Sequence, residues 1–173
     1  MGVTRYYGRV GNDRGGMRLN EQERAQLNAT IAPYVCDERV RSMEQYVQHG
    51  AVSTLDHCRS VAEVSWWIAN RLHVHVDANV LLGGALLHDF YLYDWHGAGW
   101  RHSYRHAERA RRNAEAYFGV DKRTQHVIRS HMWPLGITHV PRTREAIIVS
   151  MADKIVSLHE TLFQRRKAKR ICG

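Results

Sequence analysis

The chain has 173 residues, 44% of them hydrophobic and 24% charged, which suits one domain with a sizeable core and excludes collagen-like, fibrous and wholly disordered classes. Lys and Arg number 25 against 17 Asp and Glu, a formal net charge of +8, which favours anionic partners without choosing between a nucleotide, a nucleic acid and a lipid surface. The longest nearly apolar run, 78–87, is about half of what a bilayer crossing needs, and no signal-peptide pattern opens the chain, so a cytoplasmic setting without membrane contact is expected.

Residues 1–19 hold five glycines and little apolar periodicity, which reads as a flexible arm. A helix then starts at Asn20, a capping residue followed by Glu21 and Glu23; Leu27, Ile31 and Tyr34 share a face until Pro33 and Cys36 break the register. A second helix is expected over 37–49, stopped by Gly50, with His49 favoured at its C-terminus by the helix dipole. Ser53 and Asp56 form a capping-box-like start for a third, whose buried stripe is Val61, Val64, Ile68 and Leu72, with His57 on the same stripe. Trp66 and Trp67 fit either the core or a dimer face.

The segment 78–89 is apolar nearly all round and reads as a central buried helix whose Gly83 and Gly84 allow close packing. An aromatic and histidine-rich loop follows, then a helix over 104–118 ended by Gly119. Asp121 caps the next, with Val127, Ile128, His131 and Met132 on one face and Pro134 and Gly136 closing it. The last helix, about 142–163, carries Ile147, Ile148, Met151, Ile155, Leu158 and Leu162, and 164–173 is a short cationic tail. Strand alternation is scarce and nothing repeats, so the expected class is all-α, a bundle of about six to seven helices spanning 20–163.

Histidines, 12 in all, are the unusual feature. His57, His88 and His131 fall on core-facing stripes; Asp153 lies inside an apolar helical stretch, and Asp89 ends the most apolar one. A buried carboxylate costs several kcal/mol, to order of magnitude, unless it is paired or coordinates a metal, so both aspartates need partners, and converging stripes would bring these groups together. His73, His75, His126, His139 and His159 read as surface or loop residues. Cys36, Cys58 and Cys172 are odd in number and widely spaced, which suggests neither disulfides nor a thiolate metal site.

The order His57, His88-Asp89, His131, Asp153, with His106-Ala107 and Ala110 between, resembles the H…HD…H…D pattern of the HD superfamily of metal-dependent phosphohydrolases, over about 45–163. The surrounding text, from Gln48-His49-Gly50 to Ala152-Asp153-Lys154, is similar to that of small stand-alone bacterial HD proteins. The resemblance implies that His57, His88, Asp89 and Asp153 hold one metal, and that, with a second ion, Asp89 bridges while His106 and His131 complete its site. A mixed imidazole and carboxylate shell suits one or two ions of Fe, Mn, Co, Ni or Zn. His102, four residues before His106, shares its helical face and is an alternative ligand or a substrate contact. Where many members carry a lysine three residues after the aspartate, this chain has Leu92. His96, His102, Arg105 and Lys154 are the candidates for holding substrate phosphate, and Asp94 a candidate proton carrier beside the catalytic Asp89.

The implied activity is hydrolysis of a phosphoester or phosphoanhydride, a nucleotide or similar small phosphorylated molecule being the default substrate. Two alternatives stand beside it. A diiron oxygenase would use the same ligands, and a nucleic-acid-binding or regulatory module would rest on the positive charge and the cationic tail.

Overall fold

A computed structural model of the chain describes residues 17–49, 52–92 and 101–171, with side chains for all of these except 49, 101–104 and 163–171. The first 16 residues of the expected 1–19 arm and most of the aromatic loop, including Asp94 and His96, lie outside the described residues, whereas Leu19 is buried in the core and Met17 packs against it. Seven helices and one small antiparallel ribbon make up the described fold: α1 (Glu21–Val35), α2 (Glu38–Arg41), a 3-10 turn (Ser42–Gln45), β1 (Val47–His49), β2 (Val52–Ser53), α3 (Thr54–Arg71), α4 (Ala78–Leu87), α5 (Arg101–Phe118), α6 (Lys122–Ser130) and α7 (Arg144–Ile171). The class is all-α. No described helix is long and apolar enough to cross a membrane.

Local chemistry sets most of the helix starts. Asn20 caps α1 in a full capping box with Glu23, and Ser53, Asp77 and Asp121 each accept a backbone N–H at the start of α3, α4 and α6. Gly119, at φ +60, ends α5 in the left-handed conformation that glycine adopts without strain. Pro33 does not break α1, which continues to Val35 before Cys36 caps it.

Helix α4 is the hub. Every residue from Val80 to Leu87 is buried, and the helix packs against α1, α3, α6 and α7, with α5 completing the layer over α6. Gly84 lets α6 approach: a Cβ there would sit 2.5 Å from Val127 Cγ1 and 2.9 Å from its Cβ. Trp66 is a core residue whose indole N–H donates to the Glu23 carbonyl at 3.0 Å, and Trp67 packs against the core at its edge. Leu72 is not buried; it caps α3 beyond the last turn and is 67% exposed.

The largest departure from expectation lies at 37–49. Instead of one helix, a single turn buries Val40, the 3-10 turn buries Met43, and the chain then extends into the β1–β2 ribbon, with Val47 opposite Ser53 and His49 opposite Val52. The Tyr46 carbonyl explains the change, because it accepts from both the backbone N–H of Thr54 (2.7 Å) and its hydroxyl (3.1 Å), tying the ribbon to the start of α3. His49 is therefore a strand residue, and the dipole argument for it fails. The last helix also runs on through most of the cationic segment, to Ile171.

Gly84→Ala is expected to destabilise the fold by about 1–3 kcal/mol through overpacking, outweighing the roughly 1 kcal/mol gained in helix propensity. At Gly83 a Cβ would meet the end of the Tyr34 side chain at 3.1 Å, which can shift. Gly83→Ala should therefore change stability by less than about 1 kcal/mol. Urea denaturation of the two variants checks this, and equal losses would contradict the close α4–α6 approach.

Candidate metal centre

Six of the expected site residues come together where α3, α4, α5, α6 and α7 converge. His57 is on the first turns of α3, His88 caps the C-terminus of α4 with Asp89 just beyond, His106 is on α5, His131 caps α6, and Asp153 is on α7. All six are buried. Their rings form a chain, with centroids 5.4 Å apart for His57 and His88, 4.7 Å for His88 and His131, and 5.1 Å for His106 and His131.

Two of the histidines are aimed by one device. A helix leaves its last carbonyls unpaired; the Nδ1–H of His88 donates to Ala85 O at 2.7 Å, and that of His131 to Ile128 O at 2.7 Å. That assignment leaves Nε2 of each ring as a lone pair directed inward. His88 Nε2 lies 3.4 Å from Asp89 Oδ2 and 3.8 Å from Asp153 Oδ1. His131 Nε2 lies 3.7 Å from Asp89 Oδ1 and accepts from His106 Nε2–H at 3.1 Å, while His106 Nε2 is 3.4 Å from the same Asp89 oxygen.

His57 is oriented by carboxylates instead. Its Nδ1–H donates to Glu160 Oε2 at 2.9 Å, and its Nε2 faces Asp153 Oδ1 at 3.2 Å. Burial pushes this imidazole down, but the two carboxylates outweigh burial and raise its pKa to about 10. The opposite holds at His131, which burial and the neighbouring His88 push down to about 3. Burial raises Asp89, but the surrounding imidazoles, His88 first, bring it down to about 2, and in Asp153 the hydrogen bond with His57 and the other imidazoles likewise overcome burial to hold it well below the usual carboxylate range.

Gln48, on the ribbon, donates its amide to Asp89 Oδ2 at 2.6 Å. Its own carbonyl accepts from the Tyr91 hydroxyl at 2.7 Å and the Thr54 hydroxyl at 3.3 Å, so its orientation is fixed. Of the four buried side-chain nitrogens and oxygens with no hydrogen-bond partner among the described residues, two are here: His88 Nε2 and Asp89 Oδ1. Two inward-facing acceptors left orphaned in one dry cluster are costly, and a cation between them resolves the cost. Donors bound to one transition metal at about 2.0–2.2 Å stand roughly 3–3.5 Å apart, close to the separations found here. Two groups, His57-His88-Asp153 and His88-Asp89-His131, each have their ligand atoms within 4.8 Å of one another. The residues present fit a metal.

Lys154, expected at substrate phosphate, instead donates to the His131 carbonyl and, at 3.2 Å, to Asp153 Oδ2, tying α7 to the end of α6. Arg105 is exposed on α5 beside His106. The side chain of His102, like Asp94 and His96, lies outside the described residues. Leu92, at φ +55, packs against the core, so no lysine ammonium occupies that position. Sequence reasoning gave no role to Glu160 or Gln48. Glu160, two helical turns from Asp153 on the same face, was detectable by periodicity; Gln48 was hidden by its assignment to a helix.

In the metal-free protein, His57 and His131 set opposite pH limits. His57, raised in the folded state, contributes stability fully present below about pH 6.5 and lost as pH rises towards 10. His131, depressed, stays neutral when folded while the unfolded chain takes up its proton, so stability is lost as pH falls from 6.5 towards 3. The metal-free protein should therefore be most stable near pH 6.5, with slopes of up to about 1.4 kcal/mol per pH unit on either side. Urea midpoints from pH 4 to 9 measure this, and a flat profile would contradict it.

A search of the curated proteins and a search of the solved structures returned no match. The HD domain family model matches residues 54–158, more than half of the chain and the whole stretch from the start of α3 through Asp153. With its ordered histidines and aspartates gathered in one helical core, the chain belongs to the HD domain family, whose superfamily is that of the metal-dependent phosphohydrolases.

Proposed function

We propose that the protein is a metal-dependent phosphohydrolase that cleaves a phosphoester or phosphoanhydride of a small anionic molecule, with a nucleotide as the first substrate to try. The observation that carries this reading is the pair of orphaned, inward-facing acceptors, His88 Nε2 and Asp89 Oδ1, within a shell of further imidazoles and a second carboxylate. His57, His88, Asp89 and Asp153 would hold one ion, and Asp89, His106 and His131 a second. Such ions, when bound, lower the pKa of water to give a nucleophile near neutral pH and polarise a phosphoryl oxygen.

The chain's own groups supply the rest. Ala85 O and Ile128 O keep the ring protons of His88 and His131 on Nδ1 and leave their Nε2 atoms available as ligands, and Glu160 holds the Nδ1 proton of His57, whose Nε2 would become a ligand by giving up the proton it shares with Asp153. Gln48 occupies Asp89 Oδ2 as an acceptor and leaves Oδ1 towards His106 and His131. Arg105 is the described cation nearest in sequence to the centre that is not already tied to it, and we assign it, with His96 and His102, to substrate phosphate; Asp94 is the proposed proton carrier. The position of Leu92 favours one further reading, because without a lysine there the same ligand set also suits a diiron oxygenase.

Protein purified without chelator should retain one to two transition metals per chain, and Asp89→Asn should lose them together with phosphatase activity towards nucleotides. Metal analysis and phosphate release measure both. Retained metal with no phosphate release but with O₂ uptake would replace hydrolysis by oxygenation; no uptake of Fe, Mn, Co, Ni or Zn at all would sink both readings.

Gln48→Ala should weaken metal affinity by about 10–100-fold through lost orientation of Asp89, and Gln48→Glu should not restore it, since a carboxylate cannot donate. Competition with a chromogenic chelator reads this directly, and unchanged affinity in both variants would remove Gln48 from the centre.

A further inference from the structure

Twelve large apolar side chains are exposed among the described residues, and nine of them lie on α7 or on the segment between α6 and α7. On the helix they are Ile147, Met151, Ile155, Leu158 and Leu162. Scattered exposed leucines are ordinary, but this stripe has helical spacing, and from Met151 onward its steps of four, three and four residues are those of a seam that packs against another helix. The opposite face of α7 is already committed, with Val149, Ala152, Asp153, Val156 and Glu160 buried. Trp133 and Val140 stand beside the stripe, and Leu135 and Ile137, 69% and 75% exposed, lie between them in the chain.

Between stripe and segment runs a groove of about 510 Å³ walled by Trp133, Val140, Ile147, Met151 and Ile155. Lys154 also lines it, but its ammonium is spent on Asp153 and the His131 carbonyl, so the stem forms part of the wall.

We propose that this face is the contact between two copies of the chain, with the α7 helices antiparallel about a two-fold axis near Ile155. Two observations select a second copy as the occupant. The first is area: the stripe with Trp133 and Val140 offers on the order of 600 Å², already at the top of the ~300–600 Å² of the largest patch on a typical monomer, and Leu135 and Ile137 on the same connecting segment add to it towards the ~800 Å² each partner contributes to a stable interface. The second is self-complementarity. The groove lies towards the N-terminal half of α7 and the ridge of Leu158 and Leu162 towards its C-terminal half, so an antiparallel pair seats each ridge in the other copy's groove, as an isologous contact requires. The antiparallel sense also keeps apart the two runs containing Arg165, Arg166, Lys167, Lys169 and Arg170, which a parallel pair would set side by side.

Sedimentation equilibrium of the full chain between about 1 and 100 μM tests this. The expected result is two chains per particle for the wild type and one for Leu158→Glu, with helical circular dichroism unchanged and dimer affinity weakened at least about 30-fold, as loss of a central interface residue gives. Val140→Asp repeats the test on the non-helical wall of the groove, without touching α7. Leu72→Glu, equally exposed but outside the face, should leave the dimer intact. A wild type that is a single chain at 100 μM, a dimer that survives both Leu158→Glu and Val140→Asp, or a dimer lost equally in Leu72→Glu would overturn the proposal.

Discussion

Two carboxylates, Asp89 and Asp153, are held out of water among four imidazoles, and the rest of the architecture is arranged around their compensation. An isolated buried carboxylate is among the most expensive groups a fold can contain. Asp153 is partnered by His57 from α3 and by Lys154 and Ser157 of its own helix, and Asp89 by Gln48 at one oxygen, while its other oxygen faces the imidazoles of His106 and His131 without a hydrogen bond, where a cation would compensate it. The cluster draws on α3, α4, α5, α6, α7 and the ribbon, so local order at each is referred to the same few atoms. Such networks are all-or-nothing in character, because deleting one member leaves its neighbours unpaired in a dry interior.

The ends of helices do most of the aiming. His88 and His131 both stand one residue past a helix, where a turn of backbone carbonyls has no intrahelical partner. Each ring satisfies one of these and is thereby locked in rotamer and tautomer. The helix cap and the candidate ligand are the same side chain, used at its two nitrogens for two purposes. Glu160 plays the carbonyl's part at His57, where the histidine sits within the helix and has no free carbonyl to use.

The helical bundle was legible in the sequence through periodicity, and the clustered residues through periodicity together with the resemblance to the HD motif, which alone supplied His106. Buried stripes through His57, His131 and Asp153 announced that polar groups pointed inwards, and the capping residues read at Asn20, Ser53 and Asp121 mark helix starts in the structure. What failed was short and set by tertiary contacts. The 37–49 stretch has helix-compatible residues, yet the Tyr46 carbonyl is claimed by Thr54, and the extended ribbon that results is what brings Gln48 to Asp89. The bonds of Lys154 were hidden for a related reason: one-dimensional spacing reports which face a residue occupies, not which carbonyl from another helix will reach its ammonium.

Helix α7 is a single rod with unlike duties on its two sides. Asp153 and Glu160 project into the dry cluster, while Met151 and Ile155, each two residues from Asp153, face outwards. Because the helix rolls as a unit, a rotation of about 10° that re-seats the outer stripe would carry a carboxylate some 6 Å from the axis through roughly 1 Å, as much as separates a good ligand position from a poor one. Lys154 and Ser150, both bonded to the His131 carbonyl, act as stops against that roll. The positional precision of the inner face is thus mechanically coupled to whatever rests on the outer one, with two hydrogen-bonded pawls between them.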